Sequence, residues 1–273
     1  MQERHKDRHR YFNELAATSH DFYIGYLRKY VALDCHTRVL EVGCGDGGNL
    51  LPFARLGCYT LGIDQANGRI EDARRFFEEA KADGNFVHAD FFKYPVPTDE
   101  AQKFDVVLLH DVIEHVPDKE TFMLHIRLFL KKGGLFFAGF PAWQMPFGGH
   151  QQICRSRLCS HLPFFHLLPN PVYTAVLRAC GEDRATIGEL MSIKRCKTPI
   201  ELFEKTARKC GFKVTDRTLW LINPHYRQKF GLTPRLLPSP LCRIKYLRNF
   251  FTTSCFYLLS PDNDAFDSRK QAL

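Results

Sequence analysis

One short stretch of the 273-residue chain brings together the side chains best suited to moving a proton. The apolar segment Phe104–Leu109 is followed by a group of histidines and carboxylates, namely His110, Asp111, Glu114 and His115. An imidazole titrates near neutral pH and can remove the proton of a hydroxyl group. We predict His115 as the general base and Asp111 as a second catalytic residue. A structural histidine at a helix start is the alternative for His115.

A further histidine, His150, follows Gly148 and Gly149 in the run PFGGHQQ. Glycines would let this segment fold over an acceptor, so we predict His150 as another catalytic candidate, with a structural loop histidine as the alternative. The residues around it have the spacing H-x3-C-x4-C-x-H, formed by His150, Cys154, Cys159 and His161. This spacing lacks the closely paired cysteines of structural zinc modules, and we predict no metal site from it.

A glycine-rich run, VLEVGCGDGGN, joins the apolar segment Arg38–Val42 to a helical pattern at Asn49–Arg55. Glycines allow a sharp turn and a close approach of the backbone to a ligand, and the following helix offers free N–H groups. Asp64 lies 21 positions after Gly43, where its carboxylate would accept hydrogen bonds from ribose hydroxyls. The pattern predicts a nucleotide-like cofactor, and by itself it also suits a nicotinamide dinucleotide.

These residues need a sheet that gathers strand ends at one edge. Apolar strand patterns alternate with helical patterns through the first half of the chain, with strands predicted at Arg38–Val42, Tyr59–Ile63, Phe86–His88, Phe104–Leu109 and Leu135–Phe140, and helices at residues 11–31, Arg69–Lys81 and Lys119–Lys131. This alternation predicts an α/β fold with a doubly wound, mostly parallel sheet. The carboxyl ends of such strands form the ligand crevice.

The second half of the chain departs from this alternation. The late strands Phe212–Leu221 and Phe250–Leu259 have no predicted helix between them, which indicates an antiparallel edge hairpin and seven strands in all. The alternation of strands and helices stops over residues 141–197, called the inserted segment below. A segment of this length predicts a helical insertion, which we expect to cover the acceptor. We expect one domain over residues 1–273, with a helical lead-in at 1–37, a cofactor-binding core at 38–140, the inserted segment, and a C-terminal helix with edge strands at 198–273.

Four blocks of sequence resemble the class I S-adenosylmethionine-dependent methyltransferases. VLEVGCGDGGN resembles motif I of that family, and LGIDQA, HADFF and FDVVLLHDVIEHVPD follow in the family's order. The last block is similar to the E-H-V-P-D run of ubiquinone-type O-methyltransferases. Dehydrogenases have no reason to repeat the acidic residue of HADFF, Asp90, so the four blocks together favour the methyltransferase interpretation.

The resemblance implies S-adenosylmethionine as the cofactor and S-adenosylhomocysteine as the product. It places the glycine loop under the methionine part of the cofactor, Asp64 at the ribose and Asp90 at the adenine. Glu41, which ends the first strand, would help to orient the methionine part. The implied cofactor-binding residues are Glu41, Gly43, Cys44, Gly45, Gly47, Asp64, Gln65, Asp90, Phe91 and His110.

The sequence does not specify the methyl acceptor. We expect O-methylation of a small molecule or glycan. The basic and apolar run RIKYLRNFF at Arg243–Phe251 suggests, as an alternative, a lipid or quinone acceptor at a membrane surface. Glu114 and His115 also resemble the metal ligands of some related O-methyltransferases, but no third ligand is visible.

Two other functions are disfavoured. A non-catalytic binding module of the same fold would lack some of the residues that bind the cofactor. Here all of them are present, namely Gly43, Gly45, Asp64 and Asp90. The run Asn223–Tyr226 resembles the N-P-P-Y motif of nucleic-acid amino-methyltransferases. It follows the sixth predicted strand, where that chemistry would not be placed, so a nucleic-acid acceptor is not expected.

Composition sets the remaining expectations. The formal net charge is +8, and basic residues concentrate in the start MQERHKDRHR and between Arg227 and Arg248. Such charge suits an anionic acceptor or surface, or a solvated face. Ten scattered cysteines and a polar start lead us to expect reduced thiols and a cytoplasmic protein. No uncharged apolar run approaches the ~20 residues of a spanning helix, and the sequence predicts no oligomeric state.

Overall fold

A computed structural model describes residues 7–262, so the first six residues of the basic start lie outside the described part of the chain. One eight-stranded sheet runs through the molecule in the order β3-β2-β1-β4-β5-β8-β6-β7. The strands are β1 Arg38–Val42, β2 Tyr59–Asp64, β3 Asn85–His88, β4 Phe104–His110, β5 Leu130–Phe140, β6 Phe212–Ile222, β7 Arg235–Leu236 and β8 Ser254–Pro261.

Helices cover the sheet and connect its strands. They are α1 Arg8–Thr18, α2 Gly25–Leu27, α3 Leu51–Arg55, α4 Asn67–Glu79, α5 Lys119–Phe129, α6 Arg157–His161, α7 Asn170–Ala179, α8 Arg184–Cys196, α9 Ile200–Lys209, α10 His225–Phe230, α11 Ser239–Arg243 and α12 Arg248–Phe251. A π-helical turn, Ser19–Ile24, joins α1 to α2. Short 3₁₀ turns lie at Gly48–Leu50, Phe91–Lys93, Glu100–Gln102, Ile113–His115, Gln151–Ile153 and Phe165–Leu167.

The strand order confirms the predicted doubly wound topology. Strands β1 to β5 pair in parallel, and the chain reverses direction across the sheet between β1 and β4. This reversal places the carboxyl ends of β1 and β4 side by side, the position at which open α/β sheets bind ligands. The glycine loop after Val42 and the polar group after Leu109 therefore meet at one crevice.

The C-terminal strands confirm the antiparallel edge but correct its details. Strand β8 pairs antiparallel with both β5 and β6. The predicted count of seven strands is wrong by one, because the two-residue strand β7 adds a further edge strand too short to show a pattern in the sequence.

The predicted start of the last strand at Phe250 is also wrong. Phe250 and Phe251 end α12, and the strand begins at Ser254. Arg248 and Asn249 are buried and bind Glu201 of α9, which holds the chain in a helical turn. Two adjacent phenylalanines favour a strand locally, but these tertiary bonds decide the conformation. Similarly, α5 ends at Phe129 rather than at the predicted Lys131, because β5 begins at Leu130.

Both faces of the sheet are buried, as in other parallel sheets covered by helices. Val107 and Leu109 of β4 pack on one face, in a cluster that includes residues of α5 and α9. Val106 and Leu108 pack on the other face, in a cluster that includes residues of α1 and α4. The strands are thus fixed from both sides, and their ends form a rigid base for the crevice.

The inserted segment contains α6, α7 and α8 and has a small apolar core of its own. The buried members of this core are Cys154, Cys159, Phe165, Tyr173, Leu177 and Leu190. Helix α8 packs against the turn Ile113–His115 that follows β4. All ten cysteines are free, and none of the described helices is both long and apolar enough to cross a bilayer.

Candidate active site

The glycine loop after β1 is shaped by three backbone conformations that favour glycine. Gly43, Gly45 and Gly47 have φ angles of 72°, 52° and 82°. A Cβ at Gly43 would lie 2.5 Å from a methyl carbon of Val112, and one at Gly47 would lie 2.8 Å from the Phe86 ring. The loop is therefore packed tightly against its neighbours, and side chains at these positions would displace it.

Asp64, at the end of β2, links two loops of the crevice. Its Oδ2 accepts a hydrogen bond from the N–H of Gly45 at 2.9 Å, and its Oδ1 accepts one from the N–H of Ala66 at 2.8 Å. The carboxylate is half-buried and keeps further lone pairs for a ligand. The spacing of Gly43 and Asp64 in the sequence thus corresponds to a direct structural connection.

A cavity of about 560 Å³, called the strand-end cavity below, opens at this edge of the sheet. Predicted residues on its wall are Gly43, Asp64, Gln65, Asp90, Phe91, Asp111 and His115. Asp90 begins the turn Phe91–Lys93, where one carboxylate oxygen accepts a hydrogen bond from Phe92 N–H. Phe91 is buried and Phe92 is exposed beside it, so apolar rings flank Asp90.

Glu41 lies beneath the loop and does not line this cavity. It is buried, and its Oε1 accepts a hydrogen bond from the side chain of Asn49 at 2.7 Å. Its Oε2 has no partner among the described residues. Burial raises the pKa of this carboxyl to about 8, and the Asn49 bond partly opposes that rise. A buried oxygen with an open acceptor position suits a water or a donor group of a ligand bound above the loop.

Two other predicted cofactor residues have packing roles. The thiol of Cys44 is buried against Gly62. A Cβ added at Gly62 would lie 2.7 Å from the sulfur of Cys44. The side chain of His110 is almost fully buried and packs near Tyr23, with ring centroids 5.7 Å apart. Its Nε2 lies 3.7 Å from a carboxylate oxygen of Asp111. Both residues support the floor of the crevice.

The two predicted catalytic histidines come together although 35 positions separate them in the chain. The rings of His115 and His150 lie 5.0 Å apart at an angle of 83°. Burial lowers the pKa of both, and His115 adds to the lowering at His150, whose pKa falls to about 4. The neutral imidazole is the form that accepts a proton, so this environment keeps both rings ready as bases near neutral pH.

Glu114 lies beside the histidine pair. It is buried, and neither of its oxygens has a partner among the described residues. Burial and the charge of Asp111 raise its pKa well above the ordinary value. Ligand atoms of Glu114, His115 and His150 all lie within 4.8 Å of one another, a nitrogen and oxygen set that suits a divalent metal ion. Folding therefore supplies, through His150, the third ligand that the sequence did not show.

The zinc-like spacing does not form a site within residues 7–262. Cys154 and Cys159 belong to the small core of the inserted segment, and His161 is exposed and bonded to Ser160. His150 lies against His115 instead. The four residues are neighbours in sequence, but the fold distributes them over the small core, the exposed surface and the histidine pair.

Three tyrosines that were not predicted at the site interact with Asp111. The charge of Asp111 contributes to raised pKa values at Tyr11 of α1, at Tyr23 of the π-helical turn and at Tyr226 of α10, where burial is the larger cause. Asp111 itself has a φ of 52°, a strained conformation for a residue with a Cβ. No pattern in the sequence links these tyrosines to Asp111, because three separate elements carry them.

The run Asn223–Tyr226 lies after β6, as predicted, and joins α10 to α1. A ring nitrogen of His225 lies 3.2 Å from the hydroxyl oxygen of Thr18, and the His225 ring packs edge-on against Tyr11. The resemblance of this run to a nucleic-acid methylation motif therefore has a structural explanation, since its histidine fixes the contact between two helices.

Comparison with known proteins identifies the family. Residues 40–138 match the model of the methyltransferase domain family. The ubiquinone biosynthesis O-methyltransferase of Ruegeria pomeroyi is 32% identical over 214 residues, which cover 78% of this chain and 73% of that protein. The protein of the same description from Ruegeria sp. is 35% identical over 98 residues, so the match spans only 38% of its length.

Solved structures share the fold. An S-adenosylmethionine-dependent methyltransferase from Clostridium acetobutylicum superposes with a TM-score of 0.57 at 11% identity, over 91% of this chain and 92% of that one. Magnesium protoporphyrin IX methyltransferase from Synechocystis, with bound S-adenosylhomocysteine, superposes with a TM-score of 0.54 at 13% identity, over 90% and 82% of the two chains. Together with the sequence relatives, these likenesses confirm the expected resemblance: the chain belongs to the class I S-adenosylmethionine-dependent methyltransferases.

Proposed function

We propose that this protein transfers the methyl group of S-adenosylmethionine to an oxygen of a small-molecule or glycan acceptor at the strand-end cavity. One observation carries the proposal. The wall that contains Gly43, Asp64 and Asp90 continues directly to His115, and His150 lies behind His115. A nucleotide-binding wall and a pair of neutral imidazoles therefore share one crevice.

The residues present suit the cofactor. The loop from Gly43 to Gly47 would lie under its methionine part, and Glu41 would orient that part through its open Oε2. Asp64 would accept hydrogen bonds from the ribose hydroxyls, and Asp90 would meet the adenine beside Phe91. Bound S-adenosylmethionine supplies a methyl group already activated by its positive sulfur. The protein must mainly hold the acceptor in line with that methyl.

The histidine pair would remove the acceptor's proton. We assign His115 as the base because it lines the strand-end cavity, whereas His150 packs behind it. Asp111 lies on the same wall, and its negative charge raises the pKa of both histidines against the effect of burial. That charge would stabilise the imidazolium that forms when the hydroxyl proton arrives.

The inserted segment would cover the acceptor, and residues 1–273 would act as one domain. The support is that His150, from this segment, reaches His115, and that α8 packs against the turn carrying His115. A cover at this place would exclude water that competes for the acceptor's hydrogen bonds. The identity of the acceptor would then depend on this segment more than on the sheet.

Calorimetry with S-adenosylhomocysteine and with NAD tests the cofactor part of this proposal. We expect saturable binding of S-adenosylhomocysteine and no binding of NAD. The reverse result would overturn the proposal. A panel of hydroxylated acceptors incubated with S-adenosylmethionine carrying a labelled methyl group then tests the reaction, and transfer only to amines would contradict the assignment to oxygen.

A divalent metal at Glu114, His115 and His150 is a second candidate mechanism. The buried carboxylate without partners and the two nearby ring nitrogens favour it. A metal would lower the pKa of a bound hydroxyl, and the histidines would then act as ligands rather than bases. Dialysis against a chelator, followed by addition of magnesium or zinc, distinguishes the two: only a metal enzyme loses activity and regains it.

A lipid or quinone acceptor at a membrane surface is a second candidate substrate class. Side chains between α11 and α12 expose apolar surface, with Tyr246 69%, Ile244 47% and Leu247 43% exposed. Arg243 and Lys245 are exposed beside them, whereas Arg248 is buried in ion pairs with Glu201 and Glu204. Flotation with vesicles of phosphatidylglycerol, and with phosphatidylcholine as the neutral control, tests this candidate.

A further inference from the structure

A second cavity, of about 470 Å³, lies within the inserted segment and is called the basic cavity below. Its walls come from Trp143, from residues 166–170 and from the last turn of α8 with the residue that follows it. Three of the residues that line it, Lys194, Arg195 and Lys197, are cations, and none is a carboxylate. The cavity therefore has a single sign of charge.

These cations are not neutralised within the described part of the chain. None of Lys194, Arg195 and Lys197 forms an ion pair there. The ammonium of Lys194 is half-buried, donates to the carbonyl oxygens of His166 and Leu168, and lies 4.9 Å from the centre of the Tyr173 ring. Burial of Lys194 and the nearby charge of Lys197 both lower the pKa of Lys194. Clustered like charges without counter-charges are stabilised when an anion binds among them.

His166 adds a hydrogen-bond acceptor to the wall. It is fully buried, and its Nε2 lies 2.7 Å from the carbonyl oxygen of Trp143. Because a carbonyl oxygen only accepts hydrogen bonds, Nε2 carries the proton and Nδ1 keeps a free lone pair. Nδ1 has no partner among the described residues. A ligand with both an anionic group and a hydroxyl would satisfy the cations and this acceptor together.

The basic cavity adjoins the histidine pair of the active site. The backbone of Gly149 packs on His166 so closely that a Cβ at Gly149 would lie 2.1 Å from the Cβ of His166. The next residue is His150, whose ring lies 5.0 Å from that of His115. A single layer, formed by Gly149 and His150, thus separates a site on His166 from the proposed base.

We propose that the basic cavity is an anion site that takes the phosphate or carboxylate group of a hydroxyl-bearing ligand. Arg195 and Lys197 bind the anionic group from the exposed side of the cavity, where both side chains reach solvent. His166 accepts a hydrogen bond from the hydroxyl. The site does not depend on methyl transfer, so direct binding tests it even if the proposed function fails.

The test uses the full chain and calorimetric titration with inorganic phosphate and glucose 6-phosphate at fixed ionic strength. We expect saturable binding to the wild type, weakened about tenfold or more in the double variant Arg195→Gln/Lys197→Gln, since each lost charge-assisted hydrogen bond weakens binding. The control Arg178→Gln/Arg184→Gln removes the same charge from exposed arginines that do not line the cavity, and should bind as the wild type does. Thermal unfolding verifies that both double variants fold.

The two probes also separate two sources of the anion. Tighter binding of glucose 6-phosphate than of phosphate would assign the site to an anionic group carried on a larger hydroxylated molecule. Equal binding would assign the site to a free anion and would overturn the part of the proposal that places a ligand hydroxyl on His166. Absence of saturable binding for both probes, or equal weakening in the control variant, would overturn the proposal.

Discussion

The two sides of the crevice are built in different ways. On the cofactor side, the side-chain carboxylate of Asp64 accepts hydrogen bonds from the backbone N–H of Gly45 in the glycine loop and of Ala66 after β2. On the acceptor side, His115 and His150 meet through tertiary packing, next to a buried Glu114 without partners. The cofactor side thus keeps its loop in place without a ligand, although Glu41 retains an open oxygen, whereas the acceptor side retains a whole buried carboxyl group that a ligand or metal would satisfy. Substitutions on the two sides should therefore change different measurements.

The largest expected effect is on the acceptor side. Replacement of the proposed base, by His115→Gln, should lower turnover about 10²–10⁴-fold, because the hydroxyl proton loses its acceptor. Affinity for S-adenosylhomocysteine should stay nearly constant. His161→Gln, an exposed histidine of the inserted segment, is the matched control. The readouts are turnover with an acceptor found in the labelled-methyl panel and calorimetry with the homocysteine product.

Two measurements check the assignment of the base. Loss of folding stability without a turnover defect in the folded fraction would mean that His115 is structural. The pH profile gives a second check, since burial lowers the pKa of His115 below 6.5. Turnover limited by this base should therefore remain high down to pH 6.5 and fall only below it.

The next effect concerns the glycine loop. Gly43→Ala places a Cβ at a φ of 72° and 2.5 Å from Val112, so the free energy of unfolding should fall by about 1–3 kcal/mol. Binding of S-adenosylhomocysteine should weaken as well, because the displaced loop no longer fits the ligand. Gly188→Ala lies in α8, where nothing is within 4 Å of the added carbon, and should leave binding unchanged while stabilising the helix by up to about 1 kcal/mol. Chemical denaturation of both variants measures the contrast, and equal behaviour would refute the loop argument.

Asp64→Ala should act on the cofactor side alone. The loss of a charged acceptor for the ribose hydroxyls should weaken binding of S-adenosylhomocysteine by about 1–3 kcal/mol. Asp99→Ala is a suitable control, because Asp99 begins an exposed turn away from the strand-end cavity. An unchanged affinity in Asp64→Ala would remove this residue from the site.

The same contrast explains what could be predicted from the sequence. Glycine spacing and the distance to Asp64 are local signals, so the glycine loop and the parallel core could be predicted, whereas Glu41, Cys44 and His110, predicted at the cofactor, do not line the strand-end cavity. His150 was a candidate, but its pairing with His115 and Glu114 depends on how the inserted segment packs. The sequence gives no signal that links Tyr11 or Tyr226 to Asp111, since separate helices carry them. The error at Phe250 has the same cause, a tertiary contact that overrides local preference.

A final test concerns the buried Glu41. Its pKa is raised from 4.5 to about 8 in the fold, so the folded state binds a proton more tightly than the unfolded chain. Its contribution to stability is therefore fully present below about pH 4.5 and is lost as pH rises toward 8, by at most about 1.4 kcal/mol per pH unit. Glu41→Gln keeps the size of the side chain and cannot ionise. We expect this variant to gain stability relative to the wild type as pH rises from 5 to 8, measured by urea denaturation at each pH. A difference between the two proteins that stays constant over this range would show that the fold does not raise the pKa of Glu41.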